Sequence, residues 1–173
     1  MTENPFRIAA PFAVFYGAVF FMFGIMLPFW PVWLESRGLG PSEIGIVLAL
    51  GAWMRVVTDP LITRGVDRSG RGKQAIVVFA TFGVLAFAGF FVADSFWPIV
   101  LVTLVYAPIF HVLVPLGEAH TMAAVLRYKL DYGRIRLWGS ATFIVGALGA
   151  GWLLSDQEIG VLVPAGFAIL LLV

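Results

Sequence analysis

The chain has 173 residues, of which 61% are hydrophobic and 12% charged, with a formal net charge of +1 and a mean hydropathy of +0.97. A soluble globular domain carries about twice that charged fraction, so the composition excludes a water-soluble domain and points to an integral membrane protein. There is no cysteine, which excludes disulfides and thiolate metal sites.

A short polar head with Glu3 and Arg7 precedes an uncharged run over residues 8–34. A signal-peptide core is about 7–15 residues long; this run is longer and ends in FWPVWLE, so it reads as a retained spanning helix. Pro28 and Pro31 lie near its far end, where a kink or early termination costs least, and its phenylalanines read as a lipid-facing surface. After a polar loop at 35–38, Ser42 is a plausible N-cap, with Pro41 before it and Glu43 in the first turn. The second helix is predicted over 44–63, close to the ~20 residues a bilayer requires. Gly45 and Ala49 form a small-xxx-small pair suited to close helix approach. Arg55 and Asp59, at i,i+4 spacing, share a face. They read as a mutually neutralising intramembrane pair, with a direct substrate or gating role as the alternative.

Residues 64–73 (RGVDRSGRGK) form a basic loop broken by Gly65, Gly70 and Gly72. A third helix is predicted over 75–92. The short Asp94–Ser95 connection makes it an antiparallel neighbour of a fourth helix, which starts at Phe96 and runs well past Glu118, interrupted by Pro98, Pro108 and Pro115. A basic hinge over 127–136 leads into a fifth helix ending near Trp152. Asp156 and Glu158 mark another polar loop, and 159–173 begins a sixth apolar segment. Its fifteen residues are short of a span, which needs about 20, so the sequence is expected to continue.

Orientation follows from the cations. Arg7, Arg64, Arg68, Arg71, Lys73, Arg127, Lys129, Arg134 and Arg136 fall on the head and alternate loops, and the opposite loops hold Arg37. The positive-inside rule places the N-terminus and the second-to-third and fourth-to-fifth loops in the cytoplasm. Trp30, Trp33, Trp97 and Trp152 then fall at the outer interface.

Arg136 lies at least one turn inside an apolar run, where an unpartnered arginine costs several kcal/mol. If the chain reverses near 127–131, Glu118 and Arg136 sit at matched depth on adjacent helices, given about 1.5 Å of rise per residue. Arg136, Ser140 and Phe143 recur at i, i+4, i+7; His111, Pro115, Glu118 and Met122 form a facing stripe. Arg134, two positions away, points elsewhere and belongs to the basic rim. The two stripes describe a polar cavity wall with an aromatic component. A buried ion pair locking two helices is one reading. A metal site through His111, Glu118 and His120 is disfavoured, because the two histidines lie on roughly opposite faces and no HExxH spacing is present. The leading reading is a transport site, since intramembrane ionisable groups usually mark a pathway. In it Arg136 holds an anionic or hydroxyl-bearing solute beside a protonatable Glu118.

These residues resemble the N-terminal half of major facilitator superfamily symporters of the phenylpropionate-permease-like and lactose-permease-like branch. GIMLPFWPVWLESRGL (24–39) is similar to the end of that branch's first helix and its outer loop. Asp67, Arg68, Gly70, Arg71 and Lys73 resemble the superfamily's cytoplasmic loop motif GxxxDRxGRK, with Thr63 in place of the first glycine and Gly72 in place of a basic residue. VPLGEAH followed by DYGRIRLWGS is the most specific match. An acidic residue and an arginine at this separation bind sugar in the lactose permease, and Glu118 and Arg136 occupy those positions. Ser140 and Phe143 correspond to further cavity residues. Phe143 takes the place of a tryptophan that stacks on the sugar ring, and RLWGS is closer to the phenylpropionate-type permeases, so the resemblance favours an aromatic carboxylate over a disaccharide.

The resemblance implies an all-α polytopic membrane protein. Residues 1–173 would form one six-helix N-terminal bundle of 3+3 helices, with five complete spans, a truncated sixth and the N-terminus cytoplasmic. The partner of that bundle would be a second six-helix half, with the solute between the halves. The expected function is proton symport of a small organic solute by alternating access in the plasma (inner) membrane. It would be powered by the proton gradient, with no metal or other cofactor and no nucleic-acid partner. Arg136 anchors the solute, Glu118 tunes and couples, Phe143, His111 and Ser140 line the cavity, and Tyr16 is a mid-helix apolar contact. The alternatives are a sugar or nucleoside symporter and a non-transporting half-module that assembles with a partner chain.

Overall fold

The computed structural model describes residues 5–155, and they are helical almost throughout: α1 (Pro5–Ser36), α2 (Pro41–Ser69), α3 (Gly72–Phe87) with a 3-10 turn at Ala88–Phe91, α4 (Phe96–His111), α5 (Leu113–Tyr128) and α6 (Tyr132–Ser155). The segment at 159–173, read as a sixth span, lies outside the described residues. Four stretches are long and apolar enough to cross a membrane by length and composition: Pro5–Ser36, Pro41–Ser69, Gly72–Phe91 and Phe96–Tyr128. The 24 residues of α6 are also sufficient by length, since about 20 span a bilayer. The chain is a multi-pass integral membrane protein.

Local chemistry sets the helix ends. α1 continues through Pro28 and Pro31 to Ser36, two residues beyond the predicted end. Each proline removes one i→i−4 bond, but a kink this near the end redirects only the last turns, and there the Ser36 hydroxyl donates to the Trp33 carbonyl at 2.7 Å. The N-cap of α2 is Gly40 rather than Ser42: Pro41 takes the first helical position, and Glu43 reaches back to accept the Gly40 N–H at 2.9 Å. α2 also extends to Ser69, so the basic loop shrinks to Gly70 and Arg71. Gly70 adopts φ 64, a left-handed cap that costs glycine little. The break between α4 and α5 falls at Val112, because Pro115 has no N–H to offer the His111 carbonyl.

The turn from α5 to α6 is closed at both ends. Lys129 is left-handed at φ 53, with its N–H on the Val125 carbonyl, and Leu130 N–H donates to the same carbonyl at 3.2 Å. Asp131 caps α6 by accepting the Arg134 N–H at 3.1 Å. The predicted basic hinge is therefore a three-residue turn (129–131) followed at once by helix.

α1 is the central element, and its closest partner is α6. Gly17 lies beside Thr142, Gly24 beside the backbone of Phe143 and Ala147, and Gly151 beside Phe29. Residue numbers rise together on the two helices, so they run parallel, as a first and a fifth crossing do. Gly17 and Gly24 on α1, and Gly139 and Gly146 on α6, each stand seven residues apart, the spacing that keeps a small-residue seam facing one neighbour. α2 is peripheral and meets α4 where Gly51 approaches Thr103 and Ala107; Gly45 has nothing within 4 Å. The predicted close approach at Gly45 and Ala49 is thus made at Gly51 instead.

The phenylalanines of α1 from Phe12 onward are half-buried and turn inward, against the expectation of lipid contact. Phe15 fills the space over Gly117 of α5, and Phe23 packs edge-on against Phe110 at 5.5 Å. Trp33 is fully buried, stacks on Trp30 at 4.7 Å, and meets Phe90 at 5.9 Å. Those two tryptophans are core rather than interfacial belt, while Trp97 and Trp152 are exposed. Beside this cluster Arg37 pairs with Asp94 and covers the Trp33 ring at 5.0 Å, tying together two loops at the same end.

Candidate functional site

Glu118 and Arg136 meet across α5 and α6, with Arg136 Nε 3.7 Å from Glu118 Oε1. Their depth match follows from the tight 129–131 turn. Both side chains are partly open, 30% and 34% exposed respectively for Arg136 and Glu118. The guanidinium carbon sits 3.9 Å over the Phe20 ring centroid and 5.3 Å from that of Tyr16. A cation on an aromatic face gains about 0.5–2 kcal/mol, so α1 supplies part of the compensation that an intramembrane arginine needs. Gly139 makes room for this stack: a Cβ there would lie 3.0 Å from Arg136 Nη1 and 3.2 Å from the Phe20 ring.

The carboxylate is held mainly by another group. Tyr132 Oη donates to Glu118 at 3.0 Å from Oε1 and 2.9 Å from Oε2. Glu118 to Arg136, at 3.7 Å, is an ion pair without a hydrogen bond, because the heavy-atom limit is about 3.2 Å. Beneath the pair, Tyr16 and Thr121 are fully buried, and neither hydroxyl has a hydrogen-bond partner, although Tyr16 is close enough to feel both Thr121 and Glu118. Tyr16 is thus a buried support under the arginine rather than a surface open to solute.

The other expected site residues are dispersed. Ser140 is exposed and Phe143 half-buried, one and two turns beyond Arg136 on α6, and no hydrogen bond or ring contact joins either to the pair. His111 stacks on Phe23 at 6.0 Å, and His120 lies 5.7 Å from Phe12, so the two histidines have separate surroundings. Arg55 and Asp59 do not form the expected ion pair: among the described residues the ion pairs are Arg37–Asp94 and Arg136–Glu118. An arginine N-terminal to the acid is the weaker i,i+4 order, and Asp59 Oδ1 is buried without a hydrogen-bond partner. Arg55 remains within electrostatic reach of both Asp59 and His111.

The loop motif straddles the α2–α3 turn. Asp67 and Arg68 form the last turn of α2, Gly70 is its left-handed cap, Arg71 precedes α3, and Lys73 is in its first turn. A shallow cleft separates Asp67, Gly70 and Gly72 from Ala119, His120 and Ala123 of α5.

Sequence reasoning did not find Tyr132, Phe20 or Gly139. Tyr132 and Gly139 lie inside the DYGRIRLWGS stretch, and the seven-residue glycine spacing was a usable signal for Gly139. Nothing in α1 marks Phe20 among its neighbouring phenylalanines.

The MFS_1 like family model matches residues 10–173. The chain is 36% identical over 143 residues to the "Probable 3-phenylpropionic acid transporter" of Escherichia coli (strain K12), covering 83% of this chain and 38% of that protein. It is 30% identical over 166 residues to the "Maltose permease" of Geobacillus stearothermophilus, covering 93% and 41%. The chain thus spans about two fifths of the length of these relatives. The comparison with solved structures gave no match. The chain belongs to the MFS_1 like family, a family of membrane transporters rather than enzymes.

Proposed function

We propose that this chain is the N-terminal six-helix half of a proton-coupled symporter for a small aromatic carboxylate, working by alternating access in the plasma (inner) membrane. The observation that carries the reading is the partly open Glu118–Arg136 pair set against the Phe20 ring. A carboxylate solute binds the free guanidinium N–H groups of Arg136 through charge-assisted hydrogen bonds, with its apolar body toward α1 and Phe143. Glu118 is the protonatable neighbour, and its charge competes with the solute for the same cation. A second half, contributed by a longer chain, closes the other side of the cavity.

The relative named for 3-phenylpropionic acid supports an aromatic acid. The relative named maltose permease favours a second reading, in which solute hydroxyls replace the carboxylate on Arg136 and Glu118. Positive-inside charge supports a cytoplasmic N-terminus.

The test is uptake of labelled 3-phenylpropionate and maltose by proteoliposomes of the full-length protein, with and without an inward proton gradient. Gradient-driven accumulation of the acid supports the reading. Accumulation of maltose alone supports the second reading, and no accumulation of either removes both.

A further inference from the structure

We infer that Tyr132 is a positioning residue that holds the Glu118 carboxylate off Arg136 and so keeps the guanidinium open. The inference rests on the proposed function only for its consequence, solute affinity; the clamp itself rests on geometry. Tyr132 Oη lies nearly equidistant from the two carboxylate oxygens, 3.0 and 2.9 Å away, while Arg136 Nε stands 3.7 Å from the nearer one. Left alone, an arginine and a carboxylate at matched depth collapse into a bidentate pair with two parallel hydrogen bonds. Here the hydroxyl has the hydrogen bonds to the carboxylate and also lies within reach of the Arg136 side chain, while the cation has only Coulomb attraction to Glu118.

The direction of the hydroxyl is fixed by the chain. Tyr132 is the first residue of α6, and the turn before it is fastened by the two bonds onto the Val125 carbonyl and by the Asp131 cap. The other face of Arg136 is occupied by Phe20, which keeps the guanidinium from swinging to meet Glu118. A half-buried tyrosine at a turn that reverses two spans thus sets how strongly the pair closes. Removing one oxygen atom lets Glu118 close onto the arginine.

Tyr132→Phe keeps the ring and therefore the packing. In the full-length protein, arginine modification by phenylglyoxal, resolved peptide by peptide, is predicted to slow about tenfold at Arg136, the worth of a charge-assisted hydrogen bond. It should stay unchanged at exposed Arg134, two residues away. Equilibrium binding of labelled 3-phenylpropionate to the same variant is predicted to weaken about tenfold. An unchanged or faster reaction at Arg136 overturns the positioning role, as does equal slowing at Arg134, the signature of a general structural effect. Slowing confined to Arg136 with unaltered binding leaves the clamp standing and overturns Arg136 as the solute anchor.

Discussion

Arg136 is tolerable inside an apolar helix because three groups share its cost: the Glu118 carboxylate at 3.7 Å, the Phe20 face at 3.9 Å and the more distant Tyr16 ring. The pairing with Glu118 was legible in the sequence, since separation and helical rise place the two at one depth. The supporting groups were not. Periodicity reports which residues share a face of one helix, and it is silent on which ring of a different helix comes to rest under a cation. The same limit explains Arg55 and Asp59, whose shared face is real but whose side chains do not close. Phe20→Leu keeps most of the apolar volume and removes the π face. Binding of 3-phenylpropionate by the full-length protein is predicted to weaken about twofold to thirtyfold, following the ~0.5–2 kcal/mol worth of a cation–π contact; equilibrium binding checks it.

Helix existence followed from hydropathy, but several helix ends did not. The basic 64–73 stretch looked like a loop because it is polar and glycine-rich; most of it is the last turns of α2, and only Gly70 carries a left-handed backbone there. The seam between α1 and α6 makes a sharper case, because small residues recur in many places and only tertiary structure tells which are used. A Cβ at Gly146 would lie 2.6 Å from the Phe21 carbonyl oxygen, whereas one at Gly45 meets nothing within 4 Å. Gly146→Ala is therefore predicted to destabilise the full-length protein by about 1–3 kcal/mol, the usual cost of overpacking. Gly45→Ala is predicted to be neutral or stabilising by up to about 1 kcal/mol. Unfolding midpoints of the two variants in detergent give the comparison, and equal midpoints would refute the seam.

Over the whole molecule the described residues present an apolar outer surface, with Trp53, Leu61, Val92 and Leu126 exposed, as a bilayer requires. The cations collect at alternate turns, and α1 and α6 run the same way, which is the order expected of alternating crossings. The proposed topology predicts that a cysteine at Ser95 reacts with an impermeant maleimide in intact cells, while one at Ser69 reacts only after the membrane is opened. Both serines are exposed, and these 173 residues contain no cysteine of their own, so labelling at the two sites reads topology directly. The reverse pattern would invert the orientation.

In the proposed transport cycle Arg136, paired with Glu118, anchors the solute. The most direct test of that role is gradient-driven uptake of 3-phenylpropionate by the full-length protein and its Arg136→Ala and Arg136→Lys variants, with equal protein in each membrane. An arginine stacked on Phe20, with a planar fork of N–H groups for a carboxylate, is not replaced by a lysine point charge. Uptake is therefore predicted to fall at least about a hundredfold in Arg136→Ala, equivalent to ~2.7 kcal/mol, with at most a small recovery in Arg136→Lys. Uptake within about twofold of the unsubstituted protein in Arg136→Ala would contradict the account.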